Sequence, residues 1–106
     1  MTFLTRFAPS PTGYLHVGNI RTALFNFLLS KKNKGKFLLR IDDTDLERSK
    51  QIYEDEIKRD LEWLGIECDF CERQSTRFDR YYEVFENLKS ENKIYHCYET
   101  KTELDL

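Results

Sequence analysis

The amino-acid sequence predicts an α/β fold that begins with a parallel βαβ unit and continues with further helices. Residues 3–8 have the length of a strand, and Pro9 and Pro11 end it because proline cannot continue a strand ladder. Residues 37–41 form a second, almost wholly apolar run, which suits a parallel sheet covered on both faces. Between the two runs the apolar residues recur with helical spacing. This order is a βαβ unit, whose crossover we expect to be right-handed.

The first helix is predicted to begin at Val17 and to stop near Gly35, because glycine commonly ends a helix. Its apolar positions, expected to be buried, are Val17, Ile20, Leu24, Phe27 and Leu28. Its end is rich in lysine, at Lys31, Lys32, Lys34 and Lys36. We interpret these lysines as a solvated helix end favoured by the helix dipole rather than as a nucleic-acid patch.

Two further helices are predicted by the same periodicity. The second covers residues 50–64 and ends at Gly65, with Tyr53, Ile57, Leu61 and Leu64 on one face. The third covers residues 76–92 and carries a stripe that we expect to be core rather than a base-stacking surface, formed by Phe78, Tyr81, Tyr82, Phe85 and Leu88. A short strand at residues 94–98 and a polar helix beginning at Lys101 or Thr102 complete the prediction.

Composition sets the outer limits of function. The 106 residues are 40% hydrophobic and 34% charged, which is typical of one globular domain rather than a disordered chain. No apolar run approaches the roughly 20 residues that span a bilayer, and the start does not resemble a signal peptide. We therefore expect a cytoplasmic protein with no membrane partner. A net charge of −2 argues against strong non-specific binding of nucleic acid.

The three cysteines are expected to be thiols, because no secretory signal accompanies them. Cys68 and Cys71 have the spacing of half a tetrahedral zinc site. No complete second pair follows them, so we expect free thiols and no metal site.

The chemistry concentrates in the loop and helix start at residues 7–19. A loop that leaves the carboxyl end of a parallel strand and enters a helix lies where α/β sheets bind ligands. The helix start offers unpaired N–H groups and the positive end of a dipole, which attract phosphate. Gly18 lets a ligand approach the backbone, and His16 can donate a hydrogen bond to a phosphate oxygen as charge develops there. These features favour phosphoryl or nucleotidyl transfer.

Residues 16–19 (HVGN) are a variant of the His-Ile-Gly-His signature of class I aminoacyl-tRNA synthetases. They are accompanied by residues 6–13 (RFAPSPTG), 21–26 (RTALFN), 39–49 (LRIDDTDLERS) and, more weakly, 95–98 (YHCY). With these motifs the chain resembles bacterial-type glutamyl-tRNA synthetases over essentially its whole length. The resemblance implies the amino-terminal portion of a Rossmann-like class I catalytic domain.

The resemblance also assigns roles. It implies that His16 is catalytic and stabilises the transition state of adenylate formation. The implied ATP site comprises Pro9, Thr12, Gly13, His16, Gly18 and Asn19. The implied glutamate site comprises Arg6, Ala8, Ser10 and Asp42, with Arg6 suited to a bidentate pair with a carboxylate. Thr44 and Asp45 are implied to lie near the tRNA acceptor end, although capping of the next segment is an equal expectation for them.

Two positions depart from the family pattern. Asp42 stands where many members carry Glu, whose carboxylate pairs with the ammonium of glutamate; the charge is kept but the reach is one methylene shorter. Asn19 replaces the second His of the signature and keeps a donor. Cys97 lies where some members begin a zinc site, but Glu99 occupies the partner position, and we expect no zinc.

The resemblance implies a longer enzyme. The Lys-Met-Ser-Lys-Ser signature is not present in this sequence, so we expect the 106 residues alone not to aminoacylate tRNA. The expected division places the first half of the catalytic domain at 1–94 and the start of the inserted acceptor-binding segment at 95–106. The expected substrates and partners are the tRNA for glutamate, glutamate, and ATP with Mg²⁺. We expect the protein to be a monomer.

Other interpretations stay open. One is a shortened paralogue that glutamylates the queuosine-type modified base of a tRNA, and another is a non-catalytic module that binds a nucleotide or tRNA. The intact residues 43–45 (DTD) favour the synthetase over the paralogue. A glutaminyl-tRNA synthetase more often reads Pro-Glu-Pro-Asn-Gly at residues 9–13. An unrelated Rossmann-like domain is disfavoured because the sequence has no Gly-x-Gly-x-x-Gly.

Overall fold

The computed structural model describes residues 2–106. Its elements in chain order are β1 (Leu4–Phe7), α1 (Val17–Lys32), β2 (Lys36–Ile41), α2 (Gln51–Trp63), β3 (Phe70–Arg73), a 3-10 turn (Ser75–Arg77), α3 (Phe78–Ser90) and α4 (Lys101–Leu104). The strands form one parallel sheet in the order β1-β2-β3. The predicted parallel βαβ unit is therefore confirmed. The chain divides after Thr76 into two compact units, which are described separately.

The first unit packs its core against one face of the sheet. Alternate residues of β1 and β2 are buried on that face, among them Phe7, Phe37 and Ile41. The helices contribute Ala23 from α1 and Ile57 and Leu61 from α2, and Leu39 and Ile66 complete the buried cluster. Because side chains alternate along a strand, the other set of strand residues lies on the opposite face.

That opposite face is open within residues 2–76, whereas the sequence predicted cover on both faces. Leu4 and Phe70 are each about half exposed there, and Arg6 and Glu72 are exposed as well. The strand register places Leu4, Arg6, Leu38 and Phe70 on one face, since Arg6 pairs with Leu38 and Leu38 with Phe70. The prediction was wrong for this unit because an apolar strand records a preference for cover and not the presence of the covering element.

Helix α1 meets the sheet through small residues as well as through Phe27, which packs against the buried cluster as its place in the apolar pattern suggests. Val17, Leu24 and Leu28 are exposed, whereas Ala23 and Ser30 are buried. The close approach is shown by the Thr5 hydroxyl, which donates to the main-chain oxygen of Asn26 at 2.7 Å. Small side chains allow that approach, so the buried face of α1 is rotated from the one that the larger apolar residues suggest.

Helix α2 follows the prediction closely. Ile57 and Leu61 are buried, the helix ends at Trp63, and Gly65 follows it with a φ of 73°, in the left-handed region that glycine tolerates. The Ile66 N–H then donates to the Leu61 oxygen at 2.9 Å and closes the helix end. The predicted range is confirmed to within one residue at each end, but Leu64, predicted on the same face as Ile57 and Leu61, is exposed.

Strand β3 was not predicted. It has four residues, two of them charged; the first three are exposed and Arg73 is partly buried, so it shows no alternating apolar pattern. It is held by Asp69, whose N–H donates to the Phe37 oxygen at 2.9 Å while its carboxylate accepts from the Phe37 N–H at 2.8 Å. The strand forms because β2 offers a free edge for hydrogen bonding. The position of that edge depends on the tertiary fold and is not visible in the local sequence.

The second unit, residues 77–106, has no buried side chain. No residue of the stripe predicted to be core is buried: Tyr82 is 70% and Phe85 43% exposed, and Phe78 and Leu88 are partly buried. The prediction of a strand at residues 94–98 is wrong, since those residues are irregular and form no strand pairing within residues 2–106. The helix predicted from Lys101 is confirmed, and Thr100 caps it by accepting from the Glu103 N–H.

None of the helices in the described chain combines the length and the apolar character needed to cross a membrane.

Candidate functional site

The start of α1 is capped by the side chain of His16. Its Nδ1 accepts a hydrogen bond from the Gly18 N–H at 3.1 Å, and Asn19 Oδ1 accepts in return from the His16 N–H at 3.2 Å. This reciprocal arrangement is a capping box, which satisfies two otherwise unpaired main-chain donors. The role of helix cap that the structure shows for His16 does not exclude the predicted role of phosphate ligand.

The cap also fixes which nitrogen of His16 can act. Because Nδ1 accepts from a main-chain N–H, a neutral imidazole carries its proton on Nε2. The side chain is exposed, so this Nε2–H can donate to an approaching anion. His16 thus presents one oriented donor at the positive end of the α1 dipole.

Gly18 is required by this same arrangement. A Cβ at residue 18 would lie 3.0 Å from His16 Cε1 and 3.1 Å from Nδ1. A side chain at residue 18 would therefore require the imidazole to shift by a few tenths of an ångström from its capping position. The sequence suggested that Gly18 admits the ligand; the structure adds that it admits the His16 ring.

The loop after β1 is joined to the loop after β2 by two main-chain hydrogen bonds. The Asp42 N–H donates to the Pro9 oxygen at 2.9 Å, and the Lys50 N–H donates to the Pro11 oxygen at 3.0 Å. Both prolines are buried. The two segments that carry the predicted site residues are therefore held together at the carboxyl ends of β1 and β2, where open α/β sheets bind ligands.

The predicted glutamate-site residues lie on and around the open face of the sheet. Arg6 is exposed on this face, and no carboxylate pairs with it among residues 2–106. Ala8 is partly buried directly after β1, and Ser10 is exposed in the following turn. Asp42 is partly buried directly after β2. The main-chain bond from Asp42 to Pro9 places the segment that carries Ala8 and Ser10 next to the segment that carries Asp42.

Asp42 is held by a residue that the sequence analysis did not single out. Arg40 Nε donates to Asp42 Oδ1 at 2.7 Å, and Arg40 Nη2 donates to Oδ2 at 3.0 Å. Each side chain of this bidentate pair is a little over one quarter exposed. The sequence could have predicted this pair, because side chains two residues apart along an extended segment point to the same face.

Asp45 caps a turn, which agrees with the expectation that it caps the next segment. Its carboxylate accepts from the Arg48 N–H at 3.1 Å and from Arg48 Nε at 2.6 Å. These bonds lower the pKa of Asp45, with the side-chain bond from Arg48 as the largest cause. Thr44 is exposed beside it. Contact of either residue with tRNA stays a prediction.

Of the other predicted ATP-site residues, Thr12 is exposed and Gly13 partly buried in the turn that leads to His16. The three cysteines form no disulfide: Cys68 is partly buried, and Cys71 and Cys97 are exposed. Burial raises the pKa of Cys68 to about 11, with the charges of Cys71 and Asp69 as smaller causes. Across residues 2–106 no three His, Cys, Asp or Glu side chains are grouped as metal ligands.

The chain is similar to known proteins over its described length. The family model "tRNA synthetases class I (E and Q), catalytic domain" matches residues 2–106. A glutamate–tRNA ligase 2 of Jannaschia sp. (strain CCS1) is 61% identical over 103 residues, which is 97% of this chain and 23% of that protein. A glutamate–tRNA ligase 1 of Ehrlichia ruminantium (strain Welgevonden) is 61% identical over 105 residues, which is 99% of this chain and 24% of that protein.

A solved structure is similar over the same length. The crystal structure of a glutamate tRNA ligase from Elizabethkingia meningosepticum in complex with its amino acid matches with a TM-score of 0.82 and 39% identity. The match covers 99% of this chain and 23% of that one. The chain therefore spans about a quarter of the length of the relatives that it matches.

Proposed function

Since the chain belongs to the class I tRNA synthetases for glutamate and glutamine, of whose catalytic domain it carries part, we propose that it serves glutamate–tRNA ligation. In this reaction a carboxylate oxygen of glutamate attacks the α-phosphorus of ATP, which forms glutamyl-adenylate and releases pyrophosphate. The glutamyl group then passes to the 3′ end of the tRNA for glutamate. This chain supplies the part of the site described above, and it spans about a quarter of the length of its relatives.

We assign glutamate to the open sheet face. Arg6 would hold a carboxylate through a planar, bidentate pair, and its exposure leaves it accessible to one. Asp42 would hold the ammonium, because a carboxylate fixed by Arg40 already has its orientation. Ala8 leaves room beside them and Ser10 offers a hydroxyl.

We assign the phosphates of ATP to the start of α1. Pro9, Thr12 and Gly13 shape the loop, Asn19 completes the cap, and Gly18 leaves the imidazole in place. The Nε2–H of His16 would donate to phosphate oxygens as negative charge grows in the transition state. Mg²⁺ would arrive on the triphosphate, whose oxygens are ligands that it prefers. Thr44 and Asp45 would face the tRNA acceptor end.

The observation that carries the proposal is the His16 capping box, because it leaves a single oriented donor at a helix start. The test uses a chimaera in which this chain replaces the matching quarter of the Jannaschia ligase. We expect the chimaera to catalyse glutamate-dependent exchange of pyrophosphate into ATP when tRNA is present. Exchange that depends on glutamine instead, or binding of ATP without exchange, would contradict the proposal.

Variants of His16 separate the donor from the cap. His16→Ala removes both and should lower exchange by about 10² or more. His16→Asp keeps a good helix cap but offers no donor, so it should be as inactive as His16→Ala. Recovery of activity in His16→Asp would show that only the cap matters.

A further inference from the structure

We propose that Asp43, bound to Ser75, is a positioning residue that sets the place of Asp42 for binding the ammonium of the substrate amino acid. This inference rests on the proposed function, because it assumes that Asp42 holds that ammonium. Asp43 itself would touch neither glutamate nor ATP.

The contact that carries the inference is a double hydrogen bond across 32 residues of sequence. Asp43 Oδ1 accepts from the Ser75 N–H at 2.8 Å, and Asp43 Oδ2 accepts from the Ser75 hydroxyl at 2.6 Å. Both bonds are partly buried, and hydrogen bonds to an ionised acceptor are stronger than neutral ones. The segment after β2 is thereby fixed to the segment after β3.

The segment after β3 is itself fixed. The Gln74 N–H donates to the Ile41 oxygen at 3.0 Å, and Arg73 pairs with Glu54 of α2. Glu54 is only 4% exposed and also accepts from Lys58 at 2.7 Å. Ser75 therefore stands on a rigid support, and it can restrain Asp43 rather than follow it.

Asp42 is consequently restrained from three sides. Its N–H is bonded to Pro9 on the β1 side, its carboxylate is bonded to Arg40, and the next residue is bonded to Ser75 on the β3 side. The aspartate side chain has one methylene fewer than the glutamate common in the family, so it cannot compensate for a displaced main chain by reaching. A shift of about 1 Å at a binding group can cost as much as 10²-fold.

The test compares steady-state constants of the chimaera and its variants. We expect Asp43→Ala to raise the KM for glutamate about 10-fold, with the KM for ATP changed less than about twofold. Asp43→Asn should recover most of the loss, because its amide oxygen accepts from the Ser75 N–H and its amide nitrogen donates to the Ser75 hydroxyl. Ser75→Ala, which keeps the N–H donor, should give an intermediate KM for glutamate.

The control is Glu56→Gln, which weakens the pair of Glu56 with Arg59 on α2 and touches neither residues 42 and 43 nor the support of Ser75. It should leave the KM for glutamate unchanged. An unchanged glutamate KM in Asp43→Ala, or an equal rise in Glu56→Gln, would overturn the positioning role. If the unsubstituted chimaera does not activate glutamate, the proposed function fails instead, so the two failures are distinguishable.

Discussion

Helices α2 and α3 have the same length and similar amphipathic patterns but different environments. Each has 13 residues. In the first unit α2 buries Ile57 and Leu61 against the sheet, whereas α3 in the second unit buries no side chain and exposes its aromatic stripe. An amphipathic pattern therefore identifies the face of a helix that prefers an apolar partner. It does not establish that residues 2–106 contain that partner.

The same contrast separates the two units. The first has a sheet, a buried cluster and hydrogen bonds that join distant segments, such as Asp43 with Ser75. The second unit contains local hydrogen bonds, such as those from the Cys97 thiol to the Glu99 carboxylate and from the Lys93 N–H to the Leu88 oxygen. We expect most of the folding free energy of residues 2–106 to come from the first unit.

The sharpest test of this contrast exchanges the same residue type in both units. Phe37 is fully buried and its ring packs edge-to-face on Phe27 with centroids 5.9 Å apart, whereas Phe85 is 43% exposed. Phe37→Ala should lower the free energy of unfolding by about 3–5 kcal/mol, and Phe85→Ala by less than about 1 kcal/mol. Urea unfolding of the 106-residue chain, followed by circular dichroism, measures both. Equal losses would show that α3 is packed in solution.

Thiol reactivity gives the next largest expected difference. The pKa of Cys68 is raised from 9.0 to about 11 by burial, so at pH 8 its thiolate fraction falls about 100-fold and its alkylation slows accordingly. Cys97 in the second unit is exposed and serves as the internal reference. Iodoacetamide labelling with peptide mass spectrometry measures the two rates. Similar rates in the folded chain would mean that Cys68 is not shielded by the core.

The smallest expected effect is a dependence on pH. The Phe37 N–H and then Lys36 lower the pKa of Asp69, and the Cys97 thiol lowers that of Glu99. A carboxyl with a lowered folded pKa stabilises above its unfolded pKa, near 4, and this contribution is lost as the pH falls through the folded value. Because Asp69 links β2 to the start of β3, acid should weaken that link.

The measurement is the urea concentration at the midpoint of unfolding, which should fall as the pH is lowered from 5 to 3. Asp69→Asn should reduce the fall of the midpoint, since it removes the titrating group and keeps an oxygen to accept from Phe37. Glu99→Gln should leave the fall unchanged, because its partner is only two residues away. If both variants behave alike, Asp69 contributes no specific link between the strands.

Much of the candidate site could be predicted from the sequence. The motif at residues 6–19 correctly located a loop at the end of a strand and a helix start, because turn residues and helix signals act locally. The bidentate Arg40–Asp42 pair could have been predicted from the alternation of side chains along a strand, but it was not. The Asp43–Ser75 contact could not be predicted, since its partners are 32 residues apart and neither carries a local signal.

The sequence by itself determined the family, the β1–α1–β2 unit, the limits of α2 and its stop at Gly65, and the positions of the site motifs. These features depend on interactions between near neighbours in the chain and on a matching motif. Only the tertiary structure decided that residues 70–73 form a third strand, that α1 packs through Ala23 and Ser30, and that the stripe of α3 is exposed. Each of those outcomes depends on which surface is available to pair or pack, and that surface is built by residues distant in sequence.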